Sequence, residues 1–140
     1  MKVLVDSCIW SLALRRRQGV EGLNKEERKL VGALSDGIRD GLVVMVGPVR
    51  QEVLSGIRHV EQFERLREHL QAFRDEPIES EDYVHAARLD HLCRKEGLQG
   101  GPVDMLLCAL AQRRGWRVLT NDAGLLRCMK EIALHGEWTG

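Results

Sequence analysis

Lys2-Val3-Leu4-Val5-Asp6-Ser7-Cys8-Ile9-Trp10 is the stretch that decides the fold. Val3, Leu4 and Val5 are consecutively apolar. A strand with one wet face would alternate, so this run reads as a short strand, 2–5, covered on both faces. A helix over about 7–15 follows, with Ile9, Trp10, Ala13 and Leu14 on its apolar side. Basic residues and then Gly19 suit its C-terminus. A buried strand that runs straight into an amphipathic helix opens a β-α unit.

The same unit recurs outward from this start. Asn24 and Glu27 have capping-box spacing ahead of Leu30, Val31 and Leu34. Leu42–Val46 reads as a second buried strand, and Gly47-Pro48 turns it into a helix carrying Val49, Val53, Leu54 and Ile57. A further helix is expected over about 60–73. Pro77-Ile78 reads as a very short strand. Ser80 is expected to cap a helix running to about Glu96, with Tyr83, Ala87, Leu89 and Leu92 near its inner face. Gly100-Gly101-Pro102 breaks the chain before the most apolar helix, 102–114, which Gly115 stops. Trp116–Thr120 is another strand, 122–130 a last helix, and Ile132-Ala133-Leu134 a short final strand. The expected class is α/β: three layers, with a mostly parallel central sheet of four to five short strands and helices on both faces. No linker, repeat or low-complexity segment interrupts 1–140, so a single domain is expected.

Composition narrows the function. The 140 residues are 44% hydrophobic, which fills one core and argues against disorder. Lys plus Arg number 21 and Asp plus Glu 21, so bulk charge supplies no pull toward nucleic acid, and such a role needs a local patch. No signal peptide and no membrane-spanning run is expected, which places the protein in the cytoplasm. Cys8, Cys93, Cys108 and Cys128 are far apart and read as reduced, mostly buried thiols. The five histidines show no metal-ligand spacing. Trp10 and Trp116 read as core, and Trp138 as a tail contact.

Four acids stand out by position. Asp6 follows the first strand directly, and Asp122 follows the strand ending at Thr120. Asp104 lies in the first turn of the helix that opens at Pro102. Glu52 lies in the first turns of the helix after the second strand. Open parallel sheets place their sites beyond the carboxyl ends of the strands, so parallel strands bring all four carboxylates to one edge. Oxygen-only donors suit Mg²⁺ or Mn²⁺. Without a cation the gathering is costly, since two like charges 4 Å apart repel by about 4 kcal/mol at an effective dielectric of 20. Each acid also has a plainer use. Asp104, Asp122 and Glu52 suit the positive end of a helix dipole, and Asp6 can cap the first helix. Ser7, Thr120 and Asn121 add uncharged oxygens, with Asn121 the expected cap of the last helix. Arg15-Arg16-Arg17 is the strongest basic patch. It either tracks a nucleic-acid backbone or forms a solvated face. Arg50, near Glu52, either contacts phosphate or lies at the surface.

Taken in order, these motifs resemble those of PIN-domain ribonucleases, most closely the small VapC-type toxins of bacterial toxin–antitoxin pairs. The likeness covers essentially the whole chain. It rests on Val5–Trp10, on Gln51-Glu52-Val53-Leu54 with Gly56, on Asp104 opening an apolar helix, and on Thr120-Asn121-Asp122 after a strand. The resemblance implies that Asp6, Glu52, Asp104 and Asp122 are the catalytic, metal-binding acids. Ser7 and Thr120 become accessory hydroxyls around them. It further implies Mg²⁺- or Mn²⁺-dependent endoribonuclease activity, an RNA substrate, a homodimer and a small antitoxin protein as partner. The chain departs from the family pattern at Gly100-Gly101-Pro102, where relatives often have an arginine or threonine, and at Ala123–Leu126, where they often have Arg-Asp-Phe. Neither departure removes an acid.

Other readings fit less well. A HAD-type phosphatase needs a second aspartate two residues after the first, and Cys8 stands there. A receiver domain needs paired acids at the first strand end and an aspartate after a middle strand. Here Ser7 follows Asp6, and the second strand ends in Val46-Gly47. The non-enzymatic alternative is a weak or inactive PIN-like domain that binds RNA or protein without cutting.

Overall fold

A computed structural model of the chain describes residues 1–18 and 22–136, with the side chains of 15–18 outside the description. The element order is β1 (Val3–Val5), α1 (Ser7–Gln18), α2 (Lys25–Arg39), β2 (Val43–Val44), α3 (Gly47–Ser55), α4 (Val60–Leu70), α5 (Ser80–Lys95), α6 (Pro102–Arg114), β3 (Arg117–Leu119) and α7 (Ala123–Leu134). The described strands form one mostly parallel sheet in the order β2-β1-β3, flanked by helices. The α/β class is therefore as expected, with three strands among the described residues instead of four to five.

Two of the expected strands have other structures. Pro77-Ile78 lies outside any strand, and the pairing there is one parallel bridge between Met45 and Asp75. Ile132–Leu134 is the end of α7. The reason is visible in the burial: Leu125, Cys128 and Ile132 recur at helical spacing, so the last apolar residues extend a helical stripe.

The chain divides into two compact units. One comprises Met1–Leu4 with Ile78–Gly140, the other Val5–Pro77. In the first unit, Met105 through Ala111 are all buried, so α6 is apolar all round, as a helix enclosed by its neighbours must be. It packs mainly on α5. Leu107 and Leu110 are fully buried, and each such side chain contributes about 1.5–3 kcal/mol over leaving it in water. Gly115 ends α6 in the left-handed conformation (φ 69°), which a residue with a Cβ adopts at a cost.

The inner face of α5 differs from expectation. Asp82, Ala86, Leu89 and Cys93 are buried, while Tyr83 is exposed. The helix also starts one residue earlier, with Glu79 as N-cap in place of Ser80. The cause is Asp82. Its carboxylate accepts the Glu79 N–H at 2.7 Å, the Arg114 guanidinium at 2.6 Å and a bond from Arg113. These partners turn an acid inward and rotate the helix about it. Burial alone would raise the Asp82 carboxyl. The Glu79 N–H and the two guanidiniums outweigh it and hold the group below the usual 3.8.

In the second unit, α1, α2 and α4 bury Ile9, Val31, Leu34, Leu66 and Leu70. Asn24 caps α2 as expected, in a capping box completed by Glu27. The helix expected over 60–73 stops at Leu70, and the Leu70 and Phe73 carbonyls at and beyond its end accept from the Arg50 guanidinium. A groove of about 530 Å³ opens in this unit, lined by residues that include Trp10, Leu14, Leu34, Ile38, Leu66 and Phe73.

All four cysteines are free, and all but the half-buried Cys8 are buried. Burial, with Cys128 beside it, pushes the Cys93 thiol up to about 12, and burial also raises Cys128. Thiols of this kind are inert, as the sequence led us to expect. Trp10 and Trp116 are core residues. Trp138 lies outside the described residues.

Candidate active site

In the second unit the site starts where β1 ends. Asp6 is 5% exposed, rare for an acid. Its backbone carbonyl accepts the first turns of α1, from Ile9 at 3.1 Å and Trp10 at 3.4 Å, so Asp6 occupies the N-cap position. Its carboxylate accepts the Ser7 N–H at 2.8 Å through Oδ1 and the Cys8 thiol at 3.5 Å through Oδ2. Ser7 is half-buried beside it. Glu52 is exposed on α3, whose other side buries Val49 and Val53.

Arg50 on α3 has an internal role. Its Nε donates to Asp75 Oδ1 at 2.9 Å, one terminal nitrogen donates to the Leu70 carbonyl at 3.0 Å, and the other to the Phe73 carbonyl. The side chain is thus anchored within the chain and 22% exposed, where the sequence offered a phosphate contact or a solvated surface arginine. The side chains of Arg15, Arg16 and Arg17 lie outside the described residues.

In the first unit, Asp104 sits in the first turn of α6, and its Oδ2 accepts the Gly101 N–H at 3.2 Å. The plainer capping role expected for Asp104 is thus realised. It leaves a charged carboxylate at the helix start, where the dipole favours it. Gly100 lies tightly against this turn: a Cβ added there would come within 2.5 Å of Met105 Cε and 3.7 Å of Asp104 Cβ. Asp122, not Asn121, caps α7. It accepts the Leu125 N–H at 2.8 Å, and its own N–H donates to the buried Thr120 hydroxyl at 3.1 Å. Thr120 thereby sets the turn that presents Asp122. Asn121 is exposed.

Carboxylate oxygens are the donors a hard cation prefers. Asp6 and Glu52 offer them in the second unit, and Asp104 and Asp122 offer them in the first.

A second group in the first unit can hold a metal ion. The ligand atoms of Glu96, Glu131 and His135 lie within 4.8 Å of one another. Glu96 follows α5 as its C-cap, and Glu131 and His135 are one helical turn apart at the end of α7, bonded at 3.1 Å. None of the four acids belongs to this trio. Sequence reading passed over it because it tested the histidines against one another. The Glu131-to-His135 spacing of four, on one helix face, was the available signal.

A search of curated proteins finds no match. The structure of FitAcB from Neisseria gonorrhoeae is similar to this one, with a TM-score of 0.69 over 91% of this chain and 93% of that chain. At 19% sequence identity the likeness is one of fold. The PIN domain family matches residues 3–130, a span that runs through both compact units and contains all four acids. On that match the chain belongs to the PIN-domain family.

Proposed function

We propose that the chain is a divalent-metal-dependent endoribonuclease, the toxin of a toxin–antitoxin pair, acting as a single domain over 1–140. Asp6, Glu52, Asp104 and Asp122 bind Mg²⁺ or Mn²⁺ in this reading. The observation that carries it is the PIN-domain match over 3–130 together with a nearly buried Asp6 at the end of β1. A divalent ion held by carboxylates lowers the pKa of a bound water and offsets charge on a phosphoryl group. The protein's own part is to hold the acids. Asp6 is held at the start of α1, Asp104 by the Gly101 N–H, and Asp122 by Thr120 and the Leu125 N–H.

The expected result is cleavage of single-stranded or loop RNA with Mn²⁺ or Mg²⁺, stopped by EDTA and lost in Asp6→Asn. His135→Ala is expected to keep that activity. If His135→Ala were inactive and Asp6→Asn active, the metal would belong to the Glu96, Glu131 and His135 trio. No metal-dependent cutting across a broad RNA panel would favour the binding-only reading.

The partner in this reading is a small antitoxin protein. The apolar groove beside Trp10, Leu34 and Ile38 is the surface we assign to it, since covering an apolar groove is favourable. A short reading frame beside this gene, encoding an apolar helical segment, supports that assignment; its absence counts against the toxin reading. No helix among the described residues is long and apolar enough to cross a membrane, and we place the protein in the cytoplasm. We also propose a homodimer, formed through the apolar side of a helix within 24–73. Ile38 and Val60 are exposed apolar side chains in that range. Light scattering is expected to give twice the chain mass at micromolar concentration, and a monomer at high micromolar concentration would exclude the dimer.

A further inference from the structure

We infer that Arg50 is a positioning residue for Glu52, fastening the helix that carries this acid to the segment 70–76. The inference rests on the reading of Glu52 as a metal-binding acid. α3 has nine residues, and its N-cap, Val46, supplies no side-chain bond. A short helix without that bond takes its placement from elsewhere. Val49 and Val53 are buried and set which face of α3 turns inward. They leave its tilt and its position along its own axis to other contacts.

Arg50 supplies those contacts. Three of its guanidinium nitrogens donate to three points on one segment: the carbonyls of Leu70 and Phe73, and the Asp75 carboxylate. Its side chain is 22% exposed, so two of these bonds are to carbonyls at least partly shielded from water. The same segment is joined to the strand end just before α3, where the Glu76 N–H donates to the Met45 carbonyl at 2.9 Å and Asp75 bridges Met45. The β2–α3 junction is therefore gripped on both sides of Gly47. Glu52 follows Arg50 by two residues, so its carboxylate takes its place from a helix fastened at that point. The segment also touches the other acid-bearing helix of this unit. Phe73 meets the Trp10 ring edge-on at 5.2 Å, one turn along α1 from Asp6. A planar fork with fixed donor directions serves all three acceptors at once, which a lysine ammonium cannot do.

The test is Mn²⁺ affinity of the purified full chain, read by the electron paramagnetic resonance of free Mn²⁺, beside urea unfolding in EDTA. Wild type is expected to bind Mn²⁺ and Glu52→Gln to bind it more weakly. Arg50→Ala is expected to unfold cooperatively and to lose Mn²⁺ affinity about tenfold. Arg50→Lys is expected to recover part of that loss, and Asp75→Asn to lose about threefold. A structural role alone lowers the urea midpoint and leaves the affinity of the folded protein at the wild-type value, and that result for Arg50→Ala would overturn the inference. If Arg50→Ala does not fold, Arg50→Lys and Asp75→Asn carry the test by the same criterion. Equal binding by wild type and Glu52→Gln would instead remove Glu52 from the metal site, and the positioning role with it.

Discussion

Asp82→Ala is expected to lower the unfolding free energy by about 3–5 kcal/mol, a large fraction of the roughly 5–15 kcal/mol that holds a domain of this size together. Asp82 is fully buried, and two arginines and the Glu79 N–H converge on its carboxylate. Removing it leaves a cavity, the Glu79 N–H without its acceptor, the Arg113 guanidinium without this counter-ion, and Arg114 with only the longer pair to Glu79 at 3.9 Å. The side chains of Arg113 and Arg114 are 36% and 21% exposed. Both can recover some hydration, which favours the lower half of the range. Arg114 also lies over the Trp116 ring at 5.3 Å and keeps that contact. The corresponding fall in Tm is about 10 °C or more. The same carboxylate makes stability depend on pH. Its folded pKa lies below the 3.8 of a free group. The contribution is therefore fully present above pH 3.8 and is lost as pH falls below that value toward the depressed one. Urea unfolding of wild type and variant from pH 7 to pH 3 checks both statements. The gap between the two proteins should narrow only at the acid end, and a gap below 1 kcal/mol at pH 7 would exclude the role assigned to Asp82.

Asp104→Asn is expected to separate from wild type only when metal is present. On the proposed four-acid site, the substitution in EDTA removes one negative charge from that group and so relieves repulsion. It also weakens the charge at the start of α6, where the dipole favours an acid by a few tenths to about 1 kcal/mol. The amide oxygen can still accept the Gly101 N–H, so the variant should match or slightly exceed wild type. Mn²⁺ at 100 times its dissociation constant then stabilises wild type by about 2.7 kcal/mol and the variant by much less. If Asp104 only capped its helix, the variant would be weaker by the same few tenths to 1 kcal/mol in both buffers. Chemical denaturation of both proteins, with EDTA and with Mn²⁺, supplies the four values. Wild-type stability that is equal across millimolar Mn²⁺ would remove Asp104 from a metal site.

These two aspartates show what a sequence discloses. The first-turn place of Asp104 was legible because its setting is local: a Gly-Pro break, an acid three residues on and an apolar helix behind it. The same holds for the place of Asp6 after a strand of three apolar residues, and for the Asn24–Glu27 box. Asp82 was illegible. Nothing in Ser80-Glu81-Asp82-Tyr83 separates a buried acid from its exposed neighbours, since the two arginines that pair with it lie 31 and 32 residues away. Missing it displaced the expected inner face of α5 and put Tyr83 inside. The internal acceptors of Arg50 were illegible for the same reason, lying 20 to 25 residues away. At Ile132–Leu134 the failure was one of period. Three apolar residues fit a strand or the end of a helix equally well, and only Leu125 and Cys128 before them decide it.

The first unit is discontinuous: Met1–Leu4 belong with Ile78–Gly140, and the Arg117 N–H donates to the Lys2 carbonyl at 3.0 Å. Translation delivers those two ends far apart in time. Residues 5–77 are contiguous and can begin to organise as they leave the ribosome, but the amino-terminal strand must wait for β3. At about 5–20 residues per second, the interval between residues 77 and 119 is roughly 2–8 s. During it the first strand is unpaired on that side, and Asp122 has yet to be made. A chain released early therefore carries at most a partial set of the four acids, so on the proposed nuclease reading an unfinished molecule cannot yet cut the RNA that surrounds it.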